Sequence, residues 1–384
     1  MLGCGLMGPI VAKDCCETDG ITHVVGCDID GEQLQRCTEF VAHEKFESSK
    51  LDATDYAALV HKMRGVDVVV NASAAQISGN VVKAAIKNTV DVVDLTSGNY
   101  PLEGELYKKT KEAGITVIPG CGVDPGLADI LAGRGIDSMD EVKEVYFACG
   151  GLPQNPQPPL NYKIVFGGKK MPIRPGKVPV IVDGSIVEVD RYSEVEPVKI
   201  NGFEDMETFY DGYPSSLLKL CMEKGVQTFK GKTIRYKGFV DMIRLLLDVG
   251  ILNEEPILYQ GQKVVPLDFF LELVYPMVRF DPEKDRDVTI LLVKVKGKKD
   301  DSSMCVTYEM VDFYDEQKKI TSMAKTTGYT AAIVAQMLSK GEISKKGIQW
   351  PVYIIKGDLF TELIDGLKKR GIKMTENVSK IEPL

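Results

Sequence analysis

Histidine, long apolar runs and excess positive charge are scarce in this sequence. The chain has three histidines among 384 residues, and no apolar stretch approaches the about 20 residues of a membrane-spanning helix. The formal net charge is −8, so neither nucleic acid nor a membrane surface is expected as a partner. His23, His43 and His61 all lie early in the chain, which argues against imidazole acid–base chemistry further along.

Paired cysteine motifs are missing as well. Nine cysteines are present, but none forms a C-x-x-C pair, and Cys15 and Cys16 are adjacent. No basic-then-apolar leader is seen, so we expect reduced, mostly buried thiols and a cytoplasmic location. A bound metal is not predicted.

A glycine pattern opens the chain. The first ten residues contain G-x-G-x-x-G, the turn that binds the pyrophosphate of a dinucleotide between a strand and a helix. The cofactor contacts expected from this turn are Gly3, Gly5, Leu6, Met7 and Gly8. Only two residues precede Gly3, where a strand of about five residues belongs. We therefore expect the natural start to lie a few codons upstream.

Apolar strands then alternate with helical segments. The predicted strands are 22–27, 66–70, 90–95 and 115–118, and the predicted helices are 9–17, 56–63, 80–88 and 103–114. Strands with continuous Val and Ile runs between helices are typical of a parallel sheet covered on both faces. The sequence therefore predicts an α/β fold with a doubly wound Rossmann sheet.

Asp28 follows the first of these strands, about 20 residues after the glycine turn. A carboxylate at this position bonds the adenosine ribose hydroxyls of NAD and would repel the 2′-phosphate of NADP. NAD is therefore the expected cofactor, and NADP is less favoured.

Polar or small residues follow the other strands, at the edge where open α/β sheets bind ligands. Asp94 is a candidate catalytic group and Thr96 a candidate substrate contact, although either could simply cap the next helix. Further cofactor contacts are expected from Asn71, Ala72, Ser73, Cys121 and Gly122.

The later part of the chain has a different pattern. Segments 179–182 and 186–189 flank Asp183-Gly184 as a hairpin, and 288–295 and 304–313 form a second antiparallel pair. These hairpins predict an open antiparallel sheet, with helices such as 239–250 packed on it.

Three stretches together resemble a known family. They are VIPGCGVDPGLADILAGRG (117–135), GKTIRYKGFVDMIRLLLDVG (231–250) and MAKTTGYTAAIVAQML (323–338). With the glycine turn they resemble the saccharopine dehydrogenase-like oxidoreductases, and FYDGYPSSLL (209–218) favours the lysine 6-dehydrogenase branch. Asp124 departs from that branch and resembles the GxDPG of the saccharopine reductases.

The resemblance implies a Rossmann domain, an inserted α+β domain that shapes the substrate site, and a carboxy-terminal segment that returns to the first domain. We predict a dinucleotide-binding domain at 1–123, a substrate and dimerisation domain at 124–322, and the returning segment at 323–384. A homodimer acting on a small amino-acid substrate is expected on the same ground.

Oxidising an amine requires a base, because the nitrogen needs a free lone pair and a lysine amine titrates near about 10.4. Asp124 is the first candidate for this base, and a helix-capping aspartate in a D-P-G turn explains it equally well. Arg235, in the R-Y-x-G pattern that the family shares, is the candidate for binding a substrate carboxylate. Weaker substrate-binding candidates are Lys232, Tyr213 and Ser215. A surface ion pair explains Lys232 better.

Three functions remain open. The first is NAD-dependent oxidative deamination of the side-chain amine of L-lysine. The second is a saccharopine-type reaction on the glutamate adduct of the semialdehyde, whose three carboxylates need further arginines that Arg174 and Arg191 could supply. The third is a dinucleotide-binding protein without turnover.

Overall fold

The computed structural model describes residues 1–97, 100, 104–168, 171–212 and 215–380. The chain forms two compact units. Unit 1 comprises Met1–Asp140, Pro214–Glu223 and Ala324–Thr375; unit 2 comprises Glu141–Tyr213, Lys224–Met323 and Glu376–Leu384. The functional domain ranges given above remain predictions. The compact units differ from them by assigning the segment up to Asp140 and the short segment Pro214–Glu223 to unit 1, and by assigning Glu376–Leu384 to unit 2.

The strands, in chain order, are β1 (Val24–Asp28), β2 (Phe46–Lys50), β3 (Val68–Asn71), β4 (Asp91–Asp94), β5 (Thr116–Ile118), β6 (Glu141–Pro153), β7 (Lys177–Val182), β8 (Ser185–Asp190), β9 (Glu196–Ile200), β10 (Phe203–Tyr210), β11 (Thr228–Tyr236), β12 (Ile257–Tyr259), β13 (Gln262–Val264), β14 (Asp287–Lys299), β15 (Ser302–Phe313), β16 (Gly347–Ile348) and β17 (Met374–Lys380). The helices are α1 (Gly8–Cys16), α2 (Gly31–Val41), α3 (Tyr56–Lys62), α4 (Ser78–Asn88), α5 (Glu105–Glu112), α6 (Leu127–Asp137), α7 (Ser215–Glu223), α8 (Phe239–Asp248), α9 (Pro266–Val278), α10 (Ser322–Ser339), α11 (Pro351–Ile354) and α12 (Asp358–Lys369).

Unit 1 contains a parallel sheet whose middle position is filled by the first residues of the chain. β1 pairs with β2, and β3, β4, β5 and β16 pair in that order. Leu2 forms parallel bridges to Cys27 on one side and to Asn71 on the other. Its amide donates to the Val70 carbonyl at 2.8 Å. The two groups of strands are thereby joined, and the predicted doubly wound sheet is confirmed.

The valine runs explain why these strands form. Val69, Val70, Val92, Val93 and Val117 are all buried, as expected for strands covered on both faces. Within the described residues, no helix combines the length and the apolar character needed to cross a membrane.

Unit 2 is built on a mixed, mainly antiparallel sheet. Within the described residues it has nine strands in the order β17-β15-β14-β6-β11-β10-β9, with β7 pairing to both β11 and β8. β6 and β11 are parallel, and the other pairings with a described register are antiparallel. The hairpin at Asp183-Gly184 forms as predicted, and both turn residues have positive φ. The α+β class predicted for this part of the chain is confirmed.

One face of this sheet carries α8 and α9. Phe209 of β10, Phe239 and Ile243 of α8 and Val274 of α9 belong to one buried apolar cluster, which also contains Tyr162. This cluster surrounds the polar groups of unit 2 described below.

Candidate functional sites

The glycine turn of unit 1 has the form that a dinucleotide requires. Gly3 has a φ of +91°, and a Cβ atom on it would lie 2.7 Å from the Ala72 carbonyl oxygen. A Cβ atom on Gly8 would lie 1.9 Å from the Gly3 carbonyl oxygen. At Gly5 a Cβ atom would meet no atom of the described residues within 4 Å. Protein packing therefore excludes side chains at Gly3 and Gly8, whereas Gly5 faces open space into which a pyrophosphate fits.

The start of α1 adds donors to this turn. Met7 occupies the N-cap position and its side chain makes no capping bond among the described residues. Leu6 beside it is 49% exposed. The first amides of a helix have no partner inside the helix, and the helix dipole favours an anion there. The turn and helix start of unit 1 therefore fit the diphosphate of a dinucleotide.

Asp28, at the end of β1, accepts hydrogen bonds from backbone amides of the protein. Its Oδ2 accepts the amide of Cys4 at 2.6 Å and its Oδ1 accepts the amide of Asp30 at 2.9 Å. Lys50 is its register partner on β2. The carboxylate thus holds the glycine turn in place, and one further acceptor site remains on each of its oxygens.

Asp94 is the centre of a buried hydrogen-bond network at the carboxyl edge of the sheet. Its Oδ2 accepts from Asn71 Nδ2 at 2.8 Å and from the Tyr100 hydroxyl at 2.6 Å. Its Oδ1 accepts from the amide and the hydroxyl of Thr96 at 2.8 and 2.9 Å. Burial, followed by the charge of Asp94, raises the pKa of Tyr100. Because Asp94 accepts four hydrogen bonds, it fixes the positions of Asn71, Thr96 and Tyr100.

The neighbouring residues of this edge are drawn into the same network. Thr96 Oγ1 lies 3.2 Å from the Ser78 hydroxyl, and Asn71 Oδ1 accepts from the amide and hydroxyl of Ser73. Cys121 is fully buried, and its amide donates to the Asp94 carbonyl at 2.9 Å. Sequence analysis missed Ser78 and Tyr100, because a lone serine or tyrosine in a helix or loop has no distinguishing pattern.

Asp124 lies in the turn between β5 and α6. It is partly exposed and precedes a cis peptide bond to Pro125. The amide of Gly122 donates to the Pro125 carbonyl at 2.8 Å, which closes the turn. Five residues further on, Asp129 is 1% exposed, and neither carboxyl oxygen has a hydrogen-bond partner among the described residues. Burial and then the charge of Asp124 raise its pKa well above the usual range.

Unit 2 holds a second group of polar side chains, which we call the arginine cluster. Its members are Tyr162, Arg174, Arg191, Asp211, Thr233 and Arg235. Arg235 on β11 is 5% exposed, and its guanidinium carbon lies 5.1 Å from the ring centre of Tyr162 and 5.6 Å from that of Phe239. Its Nε has no partner among the described residues. A buried, incompletely bonded guanidinium is suited to binding a carboxylate.

Asp211, directly after β10, joins the other arginines. Its Oδ2 lies 3.1 Å from the Thr233 hydroxyl and 3.5 Å from an Arg174 nitrogen. Its Oδ1 lies 3.8 Å from an Arg191 nitrogen. The sequence analysis did not identify Asp211, because it used the FYDGYPSSLL stretch only as evidence of the family resemblance. An aspartate directly after an aromatic strand was the signal that could have identified it.

The other substrate candidates lie elsewhere. Lys232 lies three residues before Arg235 on β11. Successive side chains of a strand alternate between the two sheet faces, so the Lys232 side chain points to the opposite face. There its Nζ bonds the Glu194 carbonyl at 2.6 Å and pairs with Glu196 at 2.9 Å. Ser215 is exposed at the start of α7 in unit 1. Tyr213 lies outside the described residues.

A doubly wound sheet with this glycine turn defines a dinucleotide-binding protein of the Rossmann class. Residues 1–118 match the family model described as "Saccharopine dehydrogenase NADP binding domain", and residues 122–372 match "Saccharopine dehydrogenase C-terminal domain". The chain belongs to the saccharopine dehydrogenase family, as the sequence resemblance indicated.

Curated relatives agree with this assignment. The chain is 29% identical to saccharopine dehydrogenase [NADP(+), L-glutamate-forming] of Saccharomyces cerevisiae over 66% of this chain and 58% of that protein. It is 22% identical to carboxyaminopropylagmatine dehydrogenase of Synechocystis over 91% and 90% of the two chains. Against the mitochondrial alpha-aminoadipic semialdehyde synthase of Mus musculus it is 24% identical, and the alignment spans 47% of that longer protein. The relatives named dehydrogenases confirm the predicted oxidoreductase class.

Solved structures support the fold. Apo saccharopine dehydrogenase from Saccharomyces cerevisiae superposes with a TM-score of 0.81 at 22% identity, over 98% of both chains. Homospermidine synthase from Legionella pneumophila gives a TM-score of 0.57 at 9% identity, over 98% of this chain and 90% of that chain.

The prediction of NAD as the cofactor is wrong. The matching amino-terminal family model is an NADP-binding domain, and curated relatives from two yeasts and Pyricularia oryzae carry NADP(+) in their names. The prediction took the cofactor from the position of Asp28 alone. In the structure Asp28 accepts the backbone amides of Cys4 and Asp30, so holding the glycine turn already explains an acid at this position.

Proposed function

We propose that this chain is an NADP-dependent saccharopine-type dehydrogenase. It interconverts a secondary amine, formed between an amino acid and an aldehyde, with the corresponding imine, and the imine hydrolyses. Two observations favour this reaction over the deamination of free lysine. The relatives named for saccharopine belong to the same family, and the arginine cluster offers several cations to a substrate with several carboxylates.

The arginine cluster is the observation that carries the proposal. Within the part of the chain that the structure describes, the buried Nε atoms of Arg235 and Arg191 have no hydrogen-bond partner. Arg174 reaches Asp211 beside them with a loose contact of 3.5 Å. Saccharopine has three carboxylates, whereas lysine has one, so more than one arginine is needed to neutralise the former.

The cofactor would be held by the residues expected from the sequence. We assign this role to the glycine turn, to Asp28 as the residue that fixes it, and to the small residues after β3 and β5: Asn71, Ala72, Ser73, Cys121 and Gly122. When bound, the nicotinamide supplies hydride transfer. The protein must meanwhile take a proton from the substrate nitrogen, so that its lone pair can form the C=N bond.

Asp124 is our candidate for this proton acceptor. It is partly exposed and follows β5, at the carboxyl edge of the sheet. Asp94 already accepts four hydrogen bonds. We therefore assign Asp94 and Thr96 the task of holding Asn71 and Tyr100 in position.

A steady-state assay tests the proposal. NADPH or NADH formation is followed with saccharopine, L-lysine and carboxyaminopropylagmatine, each with NADP and with NAD. We expect turnover with saccharopine and NADP, and about a 100-fold loss of kcat/KM in Arg235→Met, because a buried charged hydrogen bond is lost. The matched control Arg64→Met, at an exposed arginine, should leave kcat/KM unchanged.

Other outcomes would identify the competing functions. Turnover with lysine but not with saccharopine would replace the proposal by lysine 6-deamination. NADPH binding without turnover on any of these amines would favour a non-catalytic dinucleotide-binding protein. A cytoplasmic location and a homodimer remain part of the proposal.

A further inference from the structure

The arginine cluster contains both donors and an acceptor that lack partners. The Tyr162 hydroxyl, Arg191 Nε and Arg235 Nε are buried donors without a hydrogen-bond partner among the described residues, and Asp211 Oδ1 is a buried acceptor without one. Buried polar atoms in native proteins are nearly always bonded, so four such atoms in one cluster require an explanation. A ligand that bonds them would have to present a cation to the aspartate and an anion to the arginines.

The contacts that Asp211 does make are loose. Its nearest arginine nitrogens are 3.5 and 3.8 Å away, compared with about 2.7–2.9 Å for a tight charged hydrogen bond. The side chain of Asp211 is only 8% exposed. Its charge is thus balanced by nearby cations, while one of its oxygens stays available for a further donor.

Tyr162 connects the two ends of the cluster. Its ring lies against the Arg235 guanidinium. Burial raises the pKa of the Tyr162 hydroxyl, Arg235 and Arg174 lower it, and Asp211 raises it. The Tyr162 hydroxyl therefore interacts electrostatically both with Arg235, which can bind a carboxylate, and with Asp211, which can bind an ammonium group.

We propose that the arginine cluster is a site for the head group of an α-amino acid, in which Arg235 binds the carboxylate and Asp211 binds the α-ammonium group, with Tyr162 between them. This inference rests on the proposed function and makes it more specific. In saccharopine only the lysine moiety keeps a free α-ammonium group, since the glutamate nitrogen is the secondary amine. Asp211 therefore selects the lysine end of the substrate and determines which end of the molecule enters this site.

Equilibrium binding to the full chain tests this inference separately from turnover. Calorimetry compares L-lysine with 6-aminohexanoate, which lacks the α-ammonium group, and with cadaverine, which keeps that amine but lacks the carboxylate. We expect lysine to bind at least about 30-fold more tightly than 6-aminohexanoate, because a buried charged hydrogen bond is lost with the ammonium group. Asp211→Asn should reduce this ratio to near 1. The matched control Asp205→Asn, at an exposed residue of the same strand, should keep the ratio.

A second variant keeps the test decisive if Asp211→Asn does not fold. Tyr162→Phe removes a hydroxyl that has no hydrogen-bond partner among the described residues, so it should fold. It should weaken lysine binding about 10-fold if the hydroxyl contacts the ligand. Unchanged affinity in Tyr162→Phe would overturn the role of Tyr162 in the site.

The outcomes separate the two proposals. Equal binding of lysine and 6-aminohexanoate, or an equal loss of both in Asp211→Asn, would overturn the head-group site and leave Asp211 as a structural ion-pair partner. No binding of lysine to the unmodified chain would overturn it too. A lysine preference that depends on Asp211, in a protein that turns over none of the tested amines, would support the site and defeat the proposed function.

Discussion

Buried carboxylates in unit 1 differ in how completely their oxygens are bonded, and this difference sets their chemistry. Asp94 is fully buried and accepts four hydrogen bonds. Asp129 is buried to a similar extent, but neither of its oxygens has a hydrogen-bond partner among the described residues. An unbonded carboxylate is costly in a buried position, so Asp129 gains stability by holding a proton.

A pH-dependent stability follows from Asp129. Its pKa in the folded state lies well above that in the unfolded chain, chiefly because of burial. Its stabilising contribution is therefore fully present below the unfolded pKa and is lost as pH rises through the folded pKa. Asp129→Asn has no proton to lose, so its free energy of unfolding should decrease less with rising pH.

Urea denaturation between about pH 5 and about pH 8 measures this difference. The control is Asp19→Asn, at an exposed aspartate, and it should keep the pH slope of the unmodified chain. An identical slope in Asp129→Asn would show that the carboxyl group is ionised in the folded state.

At the scale of the element, buried carboxylates on two strands of unit 2 hold the first residues of two helices. Glu207 of β10 accepts the amides of Gly238 and Val240, at the start of α8, at 3.0 and 2.8 Å. Asp287 of β14 accepts the amides of Ser322 and Met323, at the start of α10, at 2.7 and 2.9 Å. Each carboxylate satisfies amides that the helix leaves unpaired and favours the positive end of the helix dipole.

We expect Glu207→Gln to lower the free energy of unfolding by about 1–2 kcal/mol, because a neutral amide has one acceptor oxygen for two amides. The midpoint of urea denaturation measures the change. Glu204→Gln, at an exposed position of the same strand, is the matched control. Equal midpoints for the two variants would contradict a capping role for Glu207.

Element patterns explain how much of the fold could be predicted. Valine runs and the Asp183-Gly184 turn were sufficient for β1, β3, β4, β5 and the β7–β8 hairpin, because strand burial and turn conformation are local properties. β2, whose sequence FESSK has no valine, was not predicted. α2 is absent from the predicted elements, although its buried residues Leu34, Cys37 and Val41 have the spacing of an amphipathic helix. Alternation along β11 could have separated Lys232 from Arg235 by sheet face.

The sites were less predictable than the strands. Asp28 stood at the expected distance from the glycines, yet the backbone amides that its oxygens accept depend on the three-dimensional course of the turn. Asp211 and Tyr162 are nearly fifty residues apart in sequence, so no spacing could have brought them into one cluster.

At the scale of the whole molecule, we expect the homodimer that the family resemblance implies. Unit 2 exposes a group of large apolar side chains on α8, the β12–β13 hairpin and α9. Leu245, Val249, Leu258, Phe269 and Leu273 are between 59% and 76% exposed. An apolar surface of this kind is unusual for a monomer and suits a second copy of the chain.

Light scattering should give twice the chain mass of 42.3 kDa. Leu258→Glu combined with Phe269→Glu should give a monomer, because charges would be buried at the contact. Val182→Glu, at an exposed valine of β7, is the control and should leave the mass unchanged. If the unmodified chain is a monomer, the homodimer prediction is wrong. If the double variant is still a dimer, this surface is not the dimer contact.

The sheet of unit 2 has a consequence for synthesis on the ribosome. Its outer strand β17 pairs with β15, but it is encoded some sixty residues later, after α10, α11 and α12. During translation β15 therefore leaves the exit tunnel with its outer backbone groups unpaired, and these can attract strands of neighbouring nascent chains. Closure of this edge has to wait for residues 374–380, so the translation of β17 protects this edge of the sheet from aggregation.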